Sequence, residues 1–320
     1  MTPKTAKKDL YWANLIHISF EMWWDRELPA DAERKYYEAK PYLRVDDSLW
    51  NDVLERMRAA GMNMVILDLG NGIEYESHPE IALENAWSPA RLREELAKCR
   101  EMGLQPIPKL NFSACHDFWL HPYDRMLSTP TYYAVCAELI AEVIELFDTP
   151  AFFHLGMDEE TAEHQRLLRY AVIRQYDLWW HDLNFLVDAA QDGGSRPWVW
   201  SDYMWHHPED FFENMPTAVL QSNWYYRDDF NPDDLMVKAY GQLEERGYDQ
   251  VPTGSNYAGQ TQNFQKTVEH CTEVIGPDRL FGFMQSTWRP TQEAFRDIHM
   301  NAIEQVEKAR EWYEDHREHN

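Results

Sequence analysis

The chain has 320 residues, a length that is ordinary for an α/β barrel and long for a single β-sandwich. Its 55 acids and 30 bases give a formal net charge of −25, and a field of that sign repels polyphosphate. We therefore do not expect nucleic acid or an anionic membrane surface as a partner. The 14 tryptophans and 17 tyrosines either fill an aromatic core or line a sugar-binding cleft, where flat rings pack on pyranose C–H faces.

Cysteine spacing and the N-terminus indicate a reducing compartment. The four cysteines are far apart and form no CxxC pair, so neither a zinc site nor a disulfide framework is indicated. The N-terminal residues are basic, but no apolar stretch follows them and no run reaches the length of a membrane span. We expect a cytoplasmic protein with no cofactor.

The apolar segments alternate with helical patterns along the whole chain. Strands are predicted at residues 15–20, 64–67, 104–111, 151–156, 198–202, 218–224, 250–255 and 280–284. Helices are predicted at residues 49–60, 89–102, 130–147, 162–190 and 262–275, with a short helix after the fifth strand and a charged helix at the end. Eight strand–helix units without a linker predict one (β/α)₈ barrel domain over residues 1–320.

In such a barrel the chemistry lies just past the C-terminal ends of the strands. The polar and aromatic residues at those ends are Glu21, Asp25, Asp68, Asn111, His116, Asp158, Glu159, Glu160, Asp202, Trp224, Tyr225, Asn256, Tyr257 and Trp288. Bases are almost absent from this set, and the sequence contains neither a phosphate-binding loop nor a dinucleotide fingerprint. The set is typical of a site for a neutral sugar.

Paired carboxylates are the usual apparatus of glycoside hydrolysis. In many retaining barrels the acid follows the fourth strand and the nucleophile follows the seventh. Here residues 252–268, which include the seventh strand end, contain no Asp or Glu. The nucleophile must therefore come from elsewhere.

The end of the fourth strand, His154-x-Gly156-x-Asp158-Glu159, resembles the signature of glycoside hydrolase family 20, the β-N-acetylhexosaminidases. In that family the nucleophile is the substrate's own 2-acetamido oxygen, a known exception to the two-carboxylate scheme. The resemblance implies that Glu159 is the general acid/base and that Asp158 orients the acetamido group. Neighbouring carboxylates push their pKa values apart, so one stays ionised while the other keeps a proton. Glu160 is interpreted as the start of the next helix.

The resemblance extends to other strand ends and implies further substrate contacts. The residues concerned are Asp68, His116, Trp200, Trp224 and Trp288. Tyr257 matches the tyrosine that binds the acetamido oxygen, with Tyr225 as a competitor, and His154 is expected to hydrogen-bond behind the carboxylates. Asp202 either touches the substrate or caps the loop after the fifth strand.

The chain also departs from the family. The arginine that follows the first strand is missing, since residues 20–24 read Phe-Glu-Met-Trp-Trp, and Pro290 stands where the family has a glutamate. Both departures concern the outer side of the sugar. Trp23 and Trp24 either line the cleft or cover the barrel rim.

Two other features carry less functional weight. The adjacent His206 and His207 are poorly placed to chelate one ion, and no HxH or HExxH motif accompanies them, so we expect no metal. Trp179 and Trp180 stand in an apolar helical pattern and are predicted to lie in the core.

The sequence thus predicts a retaining exo-β-N-acetylhexosaminidase that acts on a small neutral glycoside by substrate-assisted catalysis. Two alternatives stay open. One is a barrel glycosidase for another sugar, with Glu159 as acid and Asp202 or Asp68 as its partner. The other is a sugar-binding barrel without turnover, which the missing arginine and glutamate favour.

Overall fold

The computed structural model describes residues 9–316, and eight parallel strands form its centre. The strands are β1 (Tyr11–His17), β2 (Met64–Asp68), β3 (Gln105–Lys109), β4 (Phe152–His154), β5 (Arg196–Trp200), β6 (Leu220–Ser222), β7 (Thr253–Ser255) and β8 (Gly282–Ser286). Each overlaps or directly follows its predicted segment. Most of the basic N-terminal stretch, residues 1–8, lies outside the described residues, as do residues 317–320.

The sheet closes on itself. Its order is β6-β5-β4-β3-β2-β1-β8-β7, and parallel bridges from Gln221 to Gln250 and from Trp224 to Thr253 join the two edges. The predicted (β/α)₈ barrel is therefore confirmed. The parallel register brings the carboxyl ends of all eight strands to one rim.

Helices surround this barrel on the outside. They are α1 (Asp47–Ala59), α2 (Pro89–Glu101), α3 (Pro130–Leu146), α4 (Asp177–Asp192), α5 (Tyr203–His206), α6 (Pro208–Asn214), α7 (Leu235–Glu245), α8 (Asn263–Val274) and α9 (Arg296–His316). The helix starts predicted from proline are confirmed, because Ser88 and Thr129 accept backbone N–H bonds at the first turns of α2 and α3. Helix α7 was not predicted.

The predicted helix 162–190 is wrong in its first half. Residues 161–176, here called the β4–α4 segment, are irregular apart from one 3₁₀ turn, His164–Leu167. The side chain of Gln165 hydrogen-bonds both backbone groups of Val172, at 2.7 and 2.8 Å, and Tyr176 has a positive φ of 54°. The residues of this segment are good helix formers. The tertiary contacts nevertheless outweigh their helix propensity and hold the segment in a loop.

Side chains alternate between two cores. Val65 and Leu67 of β2 pack outward against the helices, whereas Met64 and Ile66 pack inside the barrel. Trp179 and Trp180 belong to the outer core, as predicted. Within residues 9–316 no helix has the length and the apolar character that crossing a bilayer requires.

Candidate active site

A cavity of about 280 Å³ opens at the carboxyl rim of the barrel. It is lined by Trp23, Trp24, Arg34, Tyr37, Cys115, His116, Asp158, Glu159, His164, Arg166, Trp200, Trp224, Tyr226, Tyr257 and Trp288. Aromatic walls surround a small set of charged groups. That composition is typical of a ligand site, and the volume lies just below the usual range of roughly 300–1,000 Å³.

The backbone after β4 turns so that two consecutive carboxylates reach this cavity. Strand β4 ends at His154, and Gly156, Met157 and Glu159 then have positive φ values of 73°, 73° and 56°. A Cβ on Gly156 would lie 2.0 Å from the side-chain oxygen of Asn111, so a glycine is required there. Positive φ in Met157 and Glu159 is strained for residues with a side chain, and such strain concentrates at functional sites.

Asp158 is held on both carboxylate oxygens. The Asn111 amide donates to Oδ1 at 2.8 Å, and Nε2 of His116 lies 3.5 Å from Oδ2. The Ser113 hydroxyl donates to the backbone carbonyl of Asp158. Asp158 is buried except for the face that lines the cavity. Its carboxylate is therefore held in one orientation, facing the cavity.

Glu159 lies between two imidazoles. Nε2 of His116 is 3.2 Å from Oε2, and Nε2 of His164 is 3.4 Å from Oε1. Burial alone would raise the pKa of Glu159, but hydrogen bonds from the two histidines lower that pKa below its usual range. We call His116, Asp158, Glu159 and His164 the pocket cluster.

Both histidines of the pocket cluster have a raised pKa. Burial lowers the pKa of His116, but Asp158 and Glu159 together raise this pKa by more than burial lowers it. The pKa of His116 is therefore raised overall. The hydrogen bond to Glu159 is the main reason that the pKa of His164 is raised as well. The directions of these shifts favour an ionised Glu159 beside a protonated imidazole. The general acid/base role of Glu159 stays a prediction.

Asp202 stands behind Glu159 rather than in the cavity lining. Its Oδ2 accepts the backbone N–H of Glu159 at 2.8 Å, and its Oδ1 lies 3.4 Å from Nε1 of Trp224. Burial and the nearby charges of Asp158 and Glu159 raise the pKa of Asp202 to about 7. Asp202 thus orients the backbone of Glu159 from behind.

The aromatic walls come from several strand ends. Trp200 and Trp288 lie 5.9 Å apart between ring centroids, and Trp23 packs edge-on against Trp288. Trp224 stacks on Tyr226 at 4.8 Å. Trp23 and Trp24 both line the cavity, which decides between the cleft and the rim for this pair.

Some of the predicted site residues lie outside the cavity lining, among them Asp68, His154 and Asp202. Asp68 is buried inside the barrel, 2.6 Å from the Lys109 ammonium and 3.2 Å from Nδ1 of His17. Burial would raise the pKa of Asp68, but Lys109 and His17 lower it to about 2. We call His17, Asp68 and Lys109 the interior cluster.

His154 lies beneath the pocket cluster. Its Nδ1 accepts the backbone N–H of Gly156 at 3.1 Å, and its ring packs against Trp198 and Trp200. Burial holds the pKa of His154 well below its usual range, so the ring is neutral. It supports the turn that presents Asp158.

Seven predicted residues come together as expected from their strand positions: His116, Asp158, Glu159, Trp200, Trp224, Tyr257 and Trp288 line the cavity. Tyr225 instead is buried outside the lining, with its hydroxyl donating to Asp229. Its neighbour Tyr226 lines the cavity. The spacing of two from Trp224 was the available signal, because alternate residues of an extended chain share a face.

Other lining residues escaped prediction. Arg34 and Tyr37 come from the irregular β1–α1 connection, where the sequence has no period to follow. His164 and Arg166 were hidden by the helix predicted over them. Glu160 is no helix start, because it is a buried ion-pair partner of Arg174, whose Nε donates to Oε1 at 2.8 Å.

Three members of the pocket cluster are close enough to bind a metal ion. One ligand atom each from His116, Asp158 and Glu159 lies within 4.8 Å of the others. Their proximity is already explained by the imidazole that bridges the two carboxylates. His206 and His207 are exposed and do not line the cavity.

No protein-family model matches the chain, and neither does any curated protein sequence. Solved structures do. A chitobiase from Flavobacterium johnsoniae has a TM-score of 0.64 at 16% identity, over 83% of this chain and 46% of its own. The shared feature is the barrel fold.

Two further solved structures share the barrel fold. A β-N-acetylhexosaminidase from Bacteroides fragilis has a TM-score of 0.60 at 14% identity, covering 96% of this chain and 71% of its own. An exo-β-N-acetylglucosaminidase from Vibrio harveyi, solved with N-acetylglucosamine, has a TM-score of 0.62 at 13% identity, covering 92% and 54%. The chain therefore spans about half the length of the first and third of these proteins.

Proposed function

We propose that the chain is a divergent glycosidase of glycoside hydrolase family 20, acting as a retaining exo-β-N-acetylhexosaminidase. The observation that carries this proposal is the Asp158–Glu159 pair, which enters an aromatic-walled cavity at the carboxyl rim of the barrel. The structures that share its fold include a chitobiase and an exo-β-N-acetylglucosaminidase, which supports the same class of substrate.

The cavity favours a single sugar ring. Its volume of about 280 Å³ suits one small ligand, and its tryptophans offer flat faces for pyranose C–H groups. The indole N–H groups of Trp23 and Trp200 are buried and have no acceptor within the described part of the chain. They are available to sugar oxygens. Such a site accepts the terminal residue of a glycoside, which is exo action.

The carboxylates favour participation by the substrate's acetamido group. Among the described residues, Asp158 and Glu159 are the acids that line the cavity, and β7 ends in Thr253–Ser255 without one. Asn111 and His116 hold the carboxylate of Asp158 in one orientation. In that orientation it is suited to accept an amide N–H and to stabilise the cation that forms. Neither Asp68 nor Asp202 reaches the cavity to serve as an alternative partner.

Glu159 then works as acid and base in turn. It receives a proton from a neighbouring imidazolium and delivers it to the glycosidic oxygen as that bond breaks. The acetamido oxygen closes on the anomeric carbon, and Glu159 later removes a proton from the water that opens the ring. Two displacements at one carbon retain the β configuration.

Arg34 offers a replacement for the missing strand-one arginine. It comes from the same β1–α1 connection and lines the cavity, with its guanidinium 5.7 Å from the ring centroid of Tyr37. A guanidinium there is suited to bind the outer hydroxyls of the sugar.

The proposal is tested with paired nitrophenyl β-glycosides, one bearing a 2-acetamido group and one a 2-hydroxyl, and with a thiazoline that mimics the oxazoline intermediate. We expect hydrolysis of the acetamido glycoside alone and inhibition by the thiazoline. Hydrolysis of the hydroxyl glycoside that ignores the thiazoline would show a glycosidase of another class. Binding of the thiazoline by calorimetry without any turnover would show a sugar-binding barrel.

A further inference from the structure

We propose that His164 is a positioning residue for Glu159, holding one carboxylate oxygen and returning protons to it, so that the general acid works between two imidazoles. This inference rests on the proposed glycosidase function. It assigns a role to the β4–α4 segment, which places His164 at the cavity.

The two imidazoles approach Glu159 from different connections. His116, from the β3–α3 connection, lies at 3.2 Å from Oε2, and His164 lies at 3.4 Å from Oε1. Each oxygen therefore has its own partner. A carboxylate held at both oxygens has little freedom to rotate, which keeps it aimed at the reacting bond.

His164 is itself held in a way that suits the charged ring. The Thr161 hydroxyl oxygen lies 2.8 Å from Nδ1, and it also accepts the backbone N–H of His164 at 3.2 Å. The other ring nitrogen faces Glu159. An imidazolium has two N–H donors, and here both find an oxygen.

The segment that carries His164 is anchored at both ends. Arg174 donates to Glu160 at 2.8 Å and to the carbonyl of Phe112 at 2.8 Å, and it lies 3.3 Å from Asp182. Gln165, next to His164, ties the loop to Val172. The loop is therefore held by specific side-chain contacts, and its 3₁₀ turn directs His164 toward the cavity.

The charges around His164 favour its protonated form. Glu159 faces it from the end of β4 and Asp202 acts from the end of β5, and both stabilise the cation. The His116 imidazolium opposes it. Arg166 and Glu163, on the same segment, form an exposed ion pair with each other, and exposed pairs act weakly on their neighbours.

The proposed proton transfers form a closed cycle between His164 and Glu159. Nε2–H of His164 gives its proton to Oε1 of Glu159, and Glu159 gives a proton to the leaving oxygen as the C–O bond breaks, which leaves a neutral imidazole. In the second step water loses a proton to Glu159 while its oxygen attacks the anomeric carbon. The imidazole of His164 then takes that proton back, and the cluster returns to its starting state.

The test compares two N-acetylglucosaminides, a phenyl glycoside whose departure needs protonation and a 2,4-dinitrophenyl glycoside whose departure does not. In His164→Gln, which keeps an N–H donor but carries no charge, we expect kcat on the phenyl glycoside to fall about 10–100-fold. On the dinitrophenyl glycoside we expect little change, and KM stays the same for both. In His164→Ala, added imidazole should restore part of the lost rate, because the ring is partly exposed to solvent.

The matched control is His206→Gln, an exposed histidine outside the cavity, which should change neither rate. An equal fall on both glycosides in His164→Gln, without imidazole rescue of His164→Ala, would reduce His164 to a structural role and overturn the inference. Unchanged rates on both would overturn it too. Failure of the unmodified protein to hydrolyse either glycoside would instead count against the proposed function.

Discussion

The interior cluster and the pocket cluster are built from similar parts and differ in what surrounds them. Each joins carboxylate to imidazole at the carboxyl ends of strands. In the interior cluster Asp68 is sealed in the barrel and paired to the Lys109 ammonium. In the pocket cluster Asp158 and Glu159 face a cavity and are paired to histidines.

That difference separates a structural acid from a reactive one. Lys109 and His17 overcome the effect of burial and hold Asp68 in its charged form, with a pKa of about 2, and Asp68 lies outside the cavity lining. The pKa values of the histidines beside Glu159 are raised by the neighbouring carboxylates, and an imidazole, unlike the Lys109 ammonium, exchanges its proton readily. A carboxylate becomes a candidate catalytic group when it faces a cavity and is paired with a histidine that can exchange its proton.

Of the predicted changes, replacing Glu159 by Gln should have the largest effect on activity. We expect kcat/KM on glycosides with poor leaving groups to fall by about 10²–10⁴-fold, because the proton donor is lost. Steady-state rates on a phenyl N-acetylglucosaminide measure the effect. Glu311→Gln on the exposed face of α9 is the matched control, and equal rates in the two variants would contradict the assignment.

Asp68→Asn should act on stability instead. The change leaves the Lys109 ammonium buried without its counter-charge, and breaking a buried pair in this way costs about 3–5 kcal/mol of unfolding free energy. Urea unfolding measures it. Asp158→Asn is the comparison, since Asp158 faces the cavity and its loss leaves no buried ammonium unpaired, so it should cost less stability while lowering kcat/KM. Equal stability losses in the two variants would remove the distinction between the clusters.

The loss of stability at low pH also tests whether Asp68 is a structural acid. The pKa of Asp68 is lower in the folded protein than its ordinary value of 3.8, so the unfolded chain binds the proton first as pH falls. The stabilisation from Asp68 is fully present above pH 3.8 and is lost as pH falls through about 2. Unfolding free energies between pH 5 and pH 2 should therefore fall less steeply in Asp68→Asn than in the unmodified protein. Parallel curves would contradict this.

Asp202→Asn should have the smallest effect, and one of opposite sign. The pKa of Asp202 is raised to about 7, so its ionised form is disfavoured in the folded state. Its contribution is favourable below its ordinary value of 3.8 and is lost as pH rises through about 7. The variant should gain unfolding free energy at pH 8 relative to its effect at pH 4. A loss that is the same at both pH values would show that hydrogen bonding alone matters.

The barrel and the position of the carboxylates could be predicted because both follow from local patterns. Apolar strands alternate with capped helices, and Gly156 after β4 marks where the strand gives way to acids. The roles of individual acids could not be predicted. Asp68 ends a strand just as the acids after β4 follow one, and the β2–β3 register that places it opposite Lys109 exists only in the folded sheet.

The β4–α4 segment shows the other limit. Its residues favour a helix by propensity, and the contacts that prevent one are tertiary, from Gln165 to Val172 and from Arg174 to Glu160 and Asp182. Reading the segment as a helix concealed His164 and Arg166. The loop after β6 turns Tyr225 away from the cavity and Tyr226 into its lining, whereas only Tyr225 was considered from the sequence.

The most direct test of the central claim is the configuration of the first sugar released. Proton NMR during hydrolysis of a β-N-acetylglucosaminide follows the anomeric signal before mutarotation. If Asp158 supports an acetamido nucleophile and Glu159 serves as acid and then base, the β anomer is formed first. First formation of the α anomer would mean single displacement by water, and the assignment of the pocket cluster would be wrong.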